Sequence, residues 1–294
     1  MAYAPRDLLH GAIDLHIHVA PDILPRLMDD LELAEAARDA GMAAVVMKSH
    51  HMLTADRAQI AQKLTPGIRV FGGLALNRPA CGGLNPDAVR VAIAMGARII
   101  WLPTFSSVNH IKRTAAGATG NLGLMAQGFS RTPVEVVNER GEAVPELLEI
   151  LGLIAQADII LATGHISALE TKAVVDAALK AGVQKILVNH AELWLIDMSI
   201  QDQRELAAKG VMLERCIRSV TAEKTGHPTP ALIAEQIKAV GAASSVMATD
   251  YGQVDSPPPP EGMQWYIEQM LRNGIEDEEI VTMVRTNPGR LLGI

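Results

Sequence analysis

The chain has 294 residues, 49% of them hydrophobic, 20% charged and 3% aromatic, with a net charge of −7. A chain of this length buries a core without disulfide staples, and two isolated cysteines, Cys81 and Cys216, exclude both a disulfide framework and a cysteine-based zinc site. The acidic balance argues against a nucleic-acid partner. No apolar run approaches the roughly 18–20 residues of a bilayer span, and residues 1–18 lack a signal-peptide layout, so no membrane partner and a reducing, cytoplasmic home are expected.

Taken in order, eight short apolar runs read as strands: AIDLHIH (12–18), AAVVMK (43–48), RVFGGLAL (69–76), RIIWLPT (98–104), DIILATGH (158–165), KILVNH (185–190), VMLERC (211–216) and SSVMATD (244–250). They are apolar throughout rather than alternating, as suits parallel strands buried on both faces. Between them lie helical segments with their own punctuation. Asp30, Asn85, Ser167, Ser199 and Thr229 stand where N-caps belong, and Glu170 gives Ser167 a capping-box spacing. Pro86 and Pro230 fit the first helical position. Gly41, Gly96, Gly182, Gly210, Gly241 and Gly274 fall where helices end.

Eight βα units predict a single-domain (β/α)8 TIM barrel over residues 1–294, and no GxGxxG follows the first strand to support a dinucleotide-binding sheet. One stretch, 105–144 after strand four, is too long for a βα loop and reads as an insertion, a lid or an oligomer contact. It holds a hairpin pattern, VEVVNERGEAV (134–144). The PPPP run (257–260) reads as a stiff spacer before the last barrel helix.

In such barrels chemistry sits at the C-terminal ends of the strands. Here strand one ends in His16 and His18, strand two in Lys48, Ser49, His50 and His51, strand five in His165, strand six in His190 and strand eight in Asp250. Residues two apart on a strand share a face, so His16 and His18 project together as adjacent ligands for a borderline cation. Closure brings strand eight beside strand one, and Asp250 beside the pair. Each residue alone has a plain structural role open to it, as a strand-end hydrogen bonder or a loop cap; five donors on four strand ends point jointly to a metal. Lys48 reads as an ammonium for an anionic group or a carbonyl, against the alternative of an ion pair in the mouth. His50 and Arg26 are weaker candidates for substrate contact, with Asp22 and Asn77 behind them. His110 reads as loop surface, and Cys216 as a small core residue.

DLHIH (14–18), TGH (163–165), NH (189–190), TD (249–250) and NPGRLLGI (287–294) together resemble the amidohydrolase superfamily of metal-dependent hydrolases, in order and across the whole chain. The resemblance implies a (β/α)8 barrel whose metal is held by His16, His18 and Asp250, with Asp250 shuttling the proton of the attacking hydroxide. It makes His165 and His190 either ligands of a second metal, or one a ligand and the other a substrate-facing base. The binuclear pattern usually has a carboxylated lysine or a glutamate ending strand four. WLPTFSS (101–107) has neither, which favours one ion, though a carboxylated Lys48 bridging two remains conceivable.

The leading expectation is therefore a zinc enzyme (manganese, iron or cobalt also suit the ligands) that hydrolyses a small amide, cyclic amide or lactone. The alternatives are a mononuclear decarboxylase or deaminase, a phosphoesterase suggested by SHH (49–51), and a metal-binding barrel without catalysis. Lys48 and Arg26 favour an anionic or strongly polar small-molecule substrate. A homo-oligomer is open.

Overall fold

The computed structural model describes residues 4–115, 132–221 and 228–294. The eight apolar runs form eight strands: β1 Ile13–His18, β2 Ala44–Lys48, β3 Arg69–Ala75, β4 Ile99–Trp101, β5 Ile160–Ala162, β6 Ile186–Val188, β7 Met212–Cys216 and β8 Ser245–Ala248. All neighbours pair in parallel, in sequence order. A parallel bridge from Ile17 to Tyr251 joins the last strand's exit to the first, with the His18 amide donating to the Tyr251 carbonyl at 2.8 Å. The result is a (β/α)8 barrel.

Each strand is followed by a helix that covers it: α1 Asp30–Asp39, α2 Ala55–Leu64, α3 Pro86–Ala94, α4 Pro145–Ala157, α5 Ala168–Lys180, α6 Ile200–Ala208, α7 Pro230–Val240 and α8 Pro259–Arg272. The caps at Asn85, Ser167, Ser199 and Thr229 form as expected, each side-chain oxygen accepting backbone N–H groups of the first turn. At α1 the cap is Asp29 rather than Asp30. Asp29 accepts from Leu31 and Glu32 while Glu32 answers the Asp29 amide, a reciprocal box that the neighbouring Asp30 has no partner to make. The proline run is also divided differently from expectation. Pro259 and Pro260 form the first turn of α8, where a missing N–H costs nothing, so only Pro257 and Pro258 act as a spacer.

Of the 105–144 stretch, Val108–Ala115 is helical, Ser107 bridges Val134, and the hairpin closes at Val137 and Ala143 with the Asn138 amide donating to the Glu142 carbonyl. Residues 116–131 lie outside the described residues, and with them the middle of the expected lid. No described helix is long and apolar enough to cross a membrane.

Apolar burial falls into an inner and an outer layer. Ile13, Leu15, Val46, Ile99, Trp101, Leu187, Met212 and Val246 fill the barrel, with Leu291 and Leu292 of the last helix packed against them. Ile17, Val45 and Met47 face the surrounding helices instead. Strand β1 thus changes the side it shows inward, with Leu15 inside and Ile17 outside. The cause is a shift of register: Asp14 pairs with Val45 but Ile17 with Met47, so β1 holds one residue more than β2 across this step. Such a bulge re-aims the side chains beyond it. Here it turns His16 and His18, rather than Ile17, into the mouth.

Candidate metal centre

The bulged end of β1 supplies two imidazoles, and the residue after β8 supplies a carboxylate. His16 Nε2 lies 3.0 Å and His18 Nε2 3.1 Å from the same Asp250 oxygen, Oδ1. Backbone pairing sets this distance, since the Asp250 amide donates to the His16 carbonyl at 2.9 Å. Asp250 adopts φ 56°, in the left-handed region, and so does His190 at φ 55°. Both are side-chain-bearing residues in a conformation that costs about 1–3 kcal/mol, a form of strain that collects at functional sites.

The other ring nitrogens are engaged. His16 Nδ1 donates to Glu214 Oε2 at 3.1 Å, and His18 Nδ1 donates to the Lys48 carbonyl at 3.1 Å. Against burial and the nearby Lys48, Asp250 and Glu214 hold the His16 imidazole up at about 9, so in the absence of a cation its Nε2 also carries a proton toward Asp250, and a bound divalent ion would take that proton's place. The three ligand atoms lie within 4.8 Å of one another, with Asp250 Oδ1 3.0 and 3.1 Å from the two nitrogens. Metal–ligand distances of about 2.0–2.1 Å around tetrahedral zinc imply donor separations of roughly 3.3 Å, so the residues fit a bound divalent ion. The partners on the Nδ1 side are the usual means of fixing tautomer and ring orientation in such sites.

Lys48 ends β2 with its side chain fully buried, Nζ 3.0 Å from His16 Nε2 and 5.3 Å above the Trp101 ring. Burial holds its pKa below the ordinary lysine value. His190 brings Nε2 to 3.9 Å from Asp250 Oδ2. Burial holds the His190 imidazole down at about 4, so it is neutral near pH 7. Asp250 is held well below the carboxylate range although burial opposes this, because His16 and His18 both face it. Glu214 is likewise resisted by burial but drawn down to about 2 by His16.

Of the predicted ligands, His16, His18 and Asp250 converge, and His190 stands at their edge. His165 is one ring further out, 5.5 Å from His190 between centroids, with its Nδ1 2.9 Å from Nδ1 of His110. His110 is not loop surface. Only 7% exposed, it packs its ring on His165 because the helix after β4 folds back over the mouth. His50 stacks on His18 at 4.7 Å, its Nδ1 engaged with Thr104. Asn77 braces this wall by donating to the His50 carbonyl and the Thr104 hydroxyl.

Sequence reasoning missed Glu214. Residues 212, 214 and 216 share the inward face of β7 by the two-residue period of a strand, and that period was the available signal. Glu214 Oε2 also accepts from Asn189 Nδ2 at 2.6 Å and from the Cys216 thiol at 3.4 Å, so His16, His190, Glu214 and Cys216 form a second cluster of donors below the first. Asp14 was missed as well. It receives the Thr249 hydroxyl and the amides of Thr249 and His16, tying β1 to β8 beneath the triad.

A closed barrel of eight parallel strands with His-x-His ending the first and aspartate following the eighth has the fold of the amidohydrolases. An amidohydrolase from Pseudomonas aeruginosa superposes with a TM-score of 0.63 at 13% identity, over 99% of this chain and 98% of that one. A mutant PTE-like lactonase from Deinococcus radiodurans gives 0.61 at 15% identity, over 99% and 98%. A 2,6-dihydroxybenzoate decarboxylase gives 0.56 at 13% identity, over 97% and 100%. No curated protein matches the sequence. The chain belongs to a family of unknown function, DUF6282, which matches residues 11–214. That span includes His16, His18, Lys48, His165, His190 and Glu214.

Proposed function

We propose that the protein is a divalent-metal-dependent hydrolase of a small amide, cyclic amide or lactone. The observation that carries this reading is the convergence of His16 Nε2, His18 Nε2 and Asp250 Oδ1, with both Nδ1 protons engaged elsewhere. These three residues would hold the ion. Zinc is the proposed metal, although two imidazoles and a carboxylate also serve manganese, iron and cobalt. A divalent cation there supplies Lewis acidity, making water a nucleophile near neutral pH and polarising a carbonyl.

The chain's own residues account for the proton. Asp250 offers Oδ1 to the metal side and keeps Oδ2 turned toward His190. As an ionised carboxylate it accepts the proton of the attacking water and releases it to the departing nitrogen or oxygen. His190, neutral at the edge of the triad, is placed to hydrogen-bond the reacting carbonyl or the leaving group. Lys48, buried beside His16, orients polar substrate atoms on the side opposite His190. The structural neighbours include proteins described as an amidohydrolase and a lactonase, consistent with this chemistry.

A one-metal decarboxylase or deaminase is the second reading. It is favoured by one observation: among the described residues no carboxylate bridges the triad to His165, and the strand-four end brings none. The phosphoesterase alternative has less support, since His50 and His51 direct their Nδ1 atoms to Thr104 and Asp22 rather than to the triad. The free cysteines fit the reducing cytoplasm proposed as its location.

The test is elemental analysis of the purified chain together with a panel of lactones, cyclic amides and aryl carboxylates, before and after chelation. One divalent ion per chain and chelator-sensitive opening of a lactone or amide are expected. Metal-free protein that still turns the panel over, or metal-loaded protein that releases only carbon dioxide, defeats the hydrolase reading.

A further inference from the structure

Beside the triad stands a cation that the reaction above does not use. Arg26 follows β1 in the loop that lies against the exit of β8. Its backbone pairs with Gln253, and the next amide, of Leu27, donates to the Gly252 carbonyl, two residues past Asp250. Its side chain is only 3% exposed, so the guanidinium is turned inward. Nε and NH2 donate to the same oxygen, Asp22 Oδ2, at 3.1 and 2.8 Å. Asp22 is itself held, its Oδ1 accepting from His51 Nδ1 at 3.0 Å and from the Leu24 amide at 3.3 Å.

A salt bridge that merely closed the loop would be complete at this point. The guanidinium, however, carries five N–H groups in a fixed plane, and Asp22 engages only its Nε side. NH1 makes no hydrogen bond to any described residue. The end-on edge, NH1 with the second proton of NH2, is left with two parallel donors, and the Asp22–His51 chain fixes its direction. His51, which holds Asp22, lies edge-on to His50 with 5.9 Å between ring centroids, and this puts the locked fork on the triad's side of the loop. Next to it His18, His50 and Phe105 stack in succession, at 4.7 and 3.9 Å between centroids, as a flat wall.

We propose that the end-on edge of Arg26 binds a carboxylate of the substrate, which makes the substrate a small, flat amide or lactone that also bears a free acid. Two parallel N–H donors match the two oxygens of a carboxylate, whereas a phosphate dianion would leave a third oxygen and a second charge without a partner here. The inference rests on the hydrolase reading for the reacting group and on Arg26 for the acid.

The test measures binding of benzoate, benzamide and phenyl phosphate by calorimetry, to zinc-loaded and to metal-free protein, for the wild type, Arg26→Gln and Asp22→Asn. Benzoate is expected to bind the wild type at least about tenfold more tightly than benzamide, in both metal states. Arg26→Gln should lose that preference. Asp22→Asn, which keeps the Arg26 charge but removes the carboxylate that locks its fork, should lose part of it and so serves as the second variant if Arg26→Gln fails to fold. Equal benzoate affinity in wild type and Arg26→Gln, which would put the carboxylate on the metal, overturns the proposal. So does phenyl phosphate binding more tightly than benzoate, or a wild type that does not distinguish benzoate from benzamide. Metal content measured on the same samples separates this from failure of the hydrolase reading, because the metal-free comparison stands whatever the ion does.

Discussion

Asp250 sets one oxygen beside the paired imidazoles and turns the other toward His190, and the proposed mechanism gives each oxygen its own duty. Asp250→Asn keeps the shape and the strained backbone but removes the charge that accepts a proton. Hydrolysis should fall by about 10²–10⁴-fold while the far-ultraviolet spectrum and the melting transition persist. Near-wild-type turnover by this variant would end the proposed mechanism. Glu214 acts one step back, through His16. In Glu214→Gln the Nδ1 proton of His16 loses its charged acceptor, and the ring no longer has one enforced tautomer. Metal affinity, read by competition with a chromophoric chelator, should drop by about 10–100-fold with the fold intact. Unchanged affinity would mean that the 3.1 Å contact only fills space.

At the scale of elements, what positions these residues is backbone pairing between β1 and the exit of β8. The pattern of strands and helices was legible because runs apolar on both faces need parallel neighbours, and because caps such as Ser167 with Glu170 are local chemistry. The bulge in β1 was not legible. It arises from a mismatch with β2, and a single strand's sequence carries no record of its partner's register. Glu214 escaped notice for a related reason, since its partner His16 lies 198 residues away. The Arg26 fork was only half legible: the charge could be read, but the lock made by Asp22 and His51 depends on how two loops meet. The two elements leave no room for a side chain at Gly252, where φ is +126° and a Cβ would stand 1.7 Å from the His18 carbonyl oxygen. Gly252→Ala must therefore push the β8 exit away from His18. Loss of bound metal together with a lowered melting temperature is expected; a variant that melts and binds metal as the wild type does would show that the two strands are not rigidly coupled.

Taken as a whole, the molecule gathers seven of its nine histidines, His16, His18, His50, His51, His110, His165 and His190, around one mouth, which a net charge of −7 and an ordinary histidine count do not reveal. That placement has a consequence for stability. Burial depresses the imidazoles of His18, His50, His110, His165 and His190, with His110 and His190 at about 4 against an ordinary 6.5. Between those values the unfolded chain takes up protons that the folded one refuses. Their stabilising effect is therefore fully present above pH 6.5 and is lost as pH falls toward 4, by about 1.4 kcal/mol per pH unit for each such group. Asp14 works the other way. Burial raises its carboxyl to about 7, so between its ordinary 3.8 and that value the folded state holds a proton the unfolded one has released, and stability grows on acidification. His16, held at about 9 by Asp250 and Glu214 against the opposing effects of burial and Lys48, contributes stability below 6.5 that does not change within this window. Burial raises the Glu192 carboxyl as well, and the two opposing carboxyls are outnumbered by the five depressed imidazoles, so the net direction is loss of stability in acid. Urea midpoints of the chelated protein should fall steadily from pH 7 to pH 5, and the metal-free state keeps ligand release from imitating the effect. His110→Gln, away from the triad, should flatten the dependence by about one proton. A midpoint that holds level or rises toward pH 5 would mean that the imidazoles are hydrated and charged in the fold, and that His190 is not the neutral ring the proposed chemistry uses.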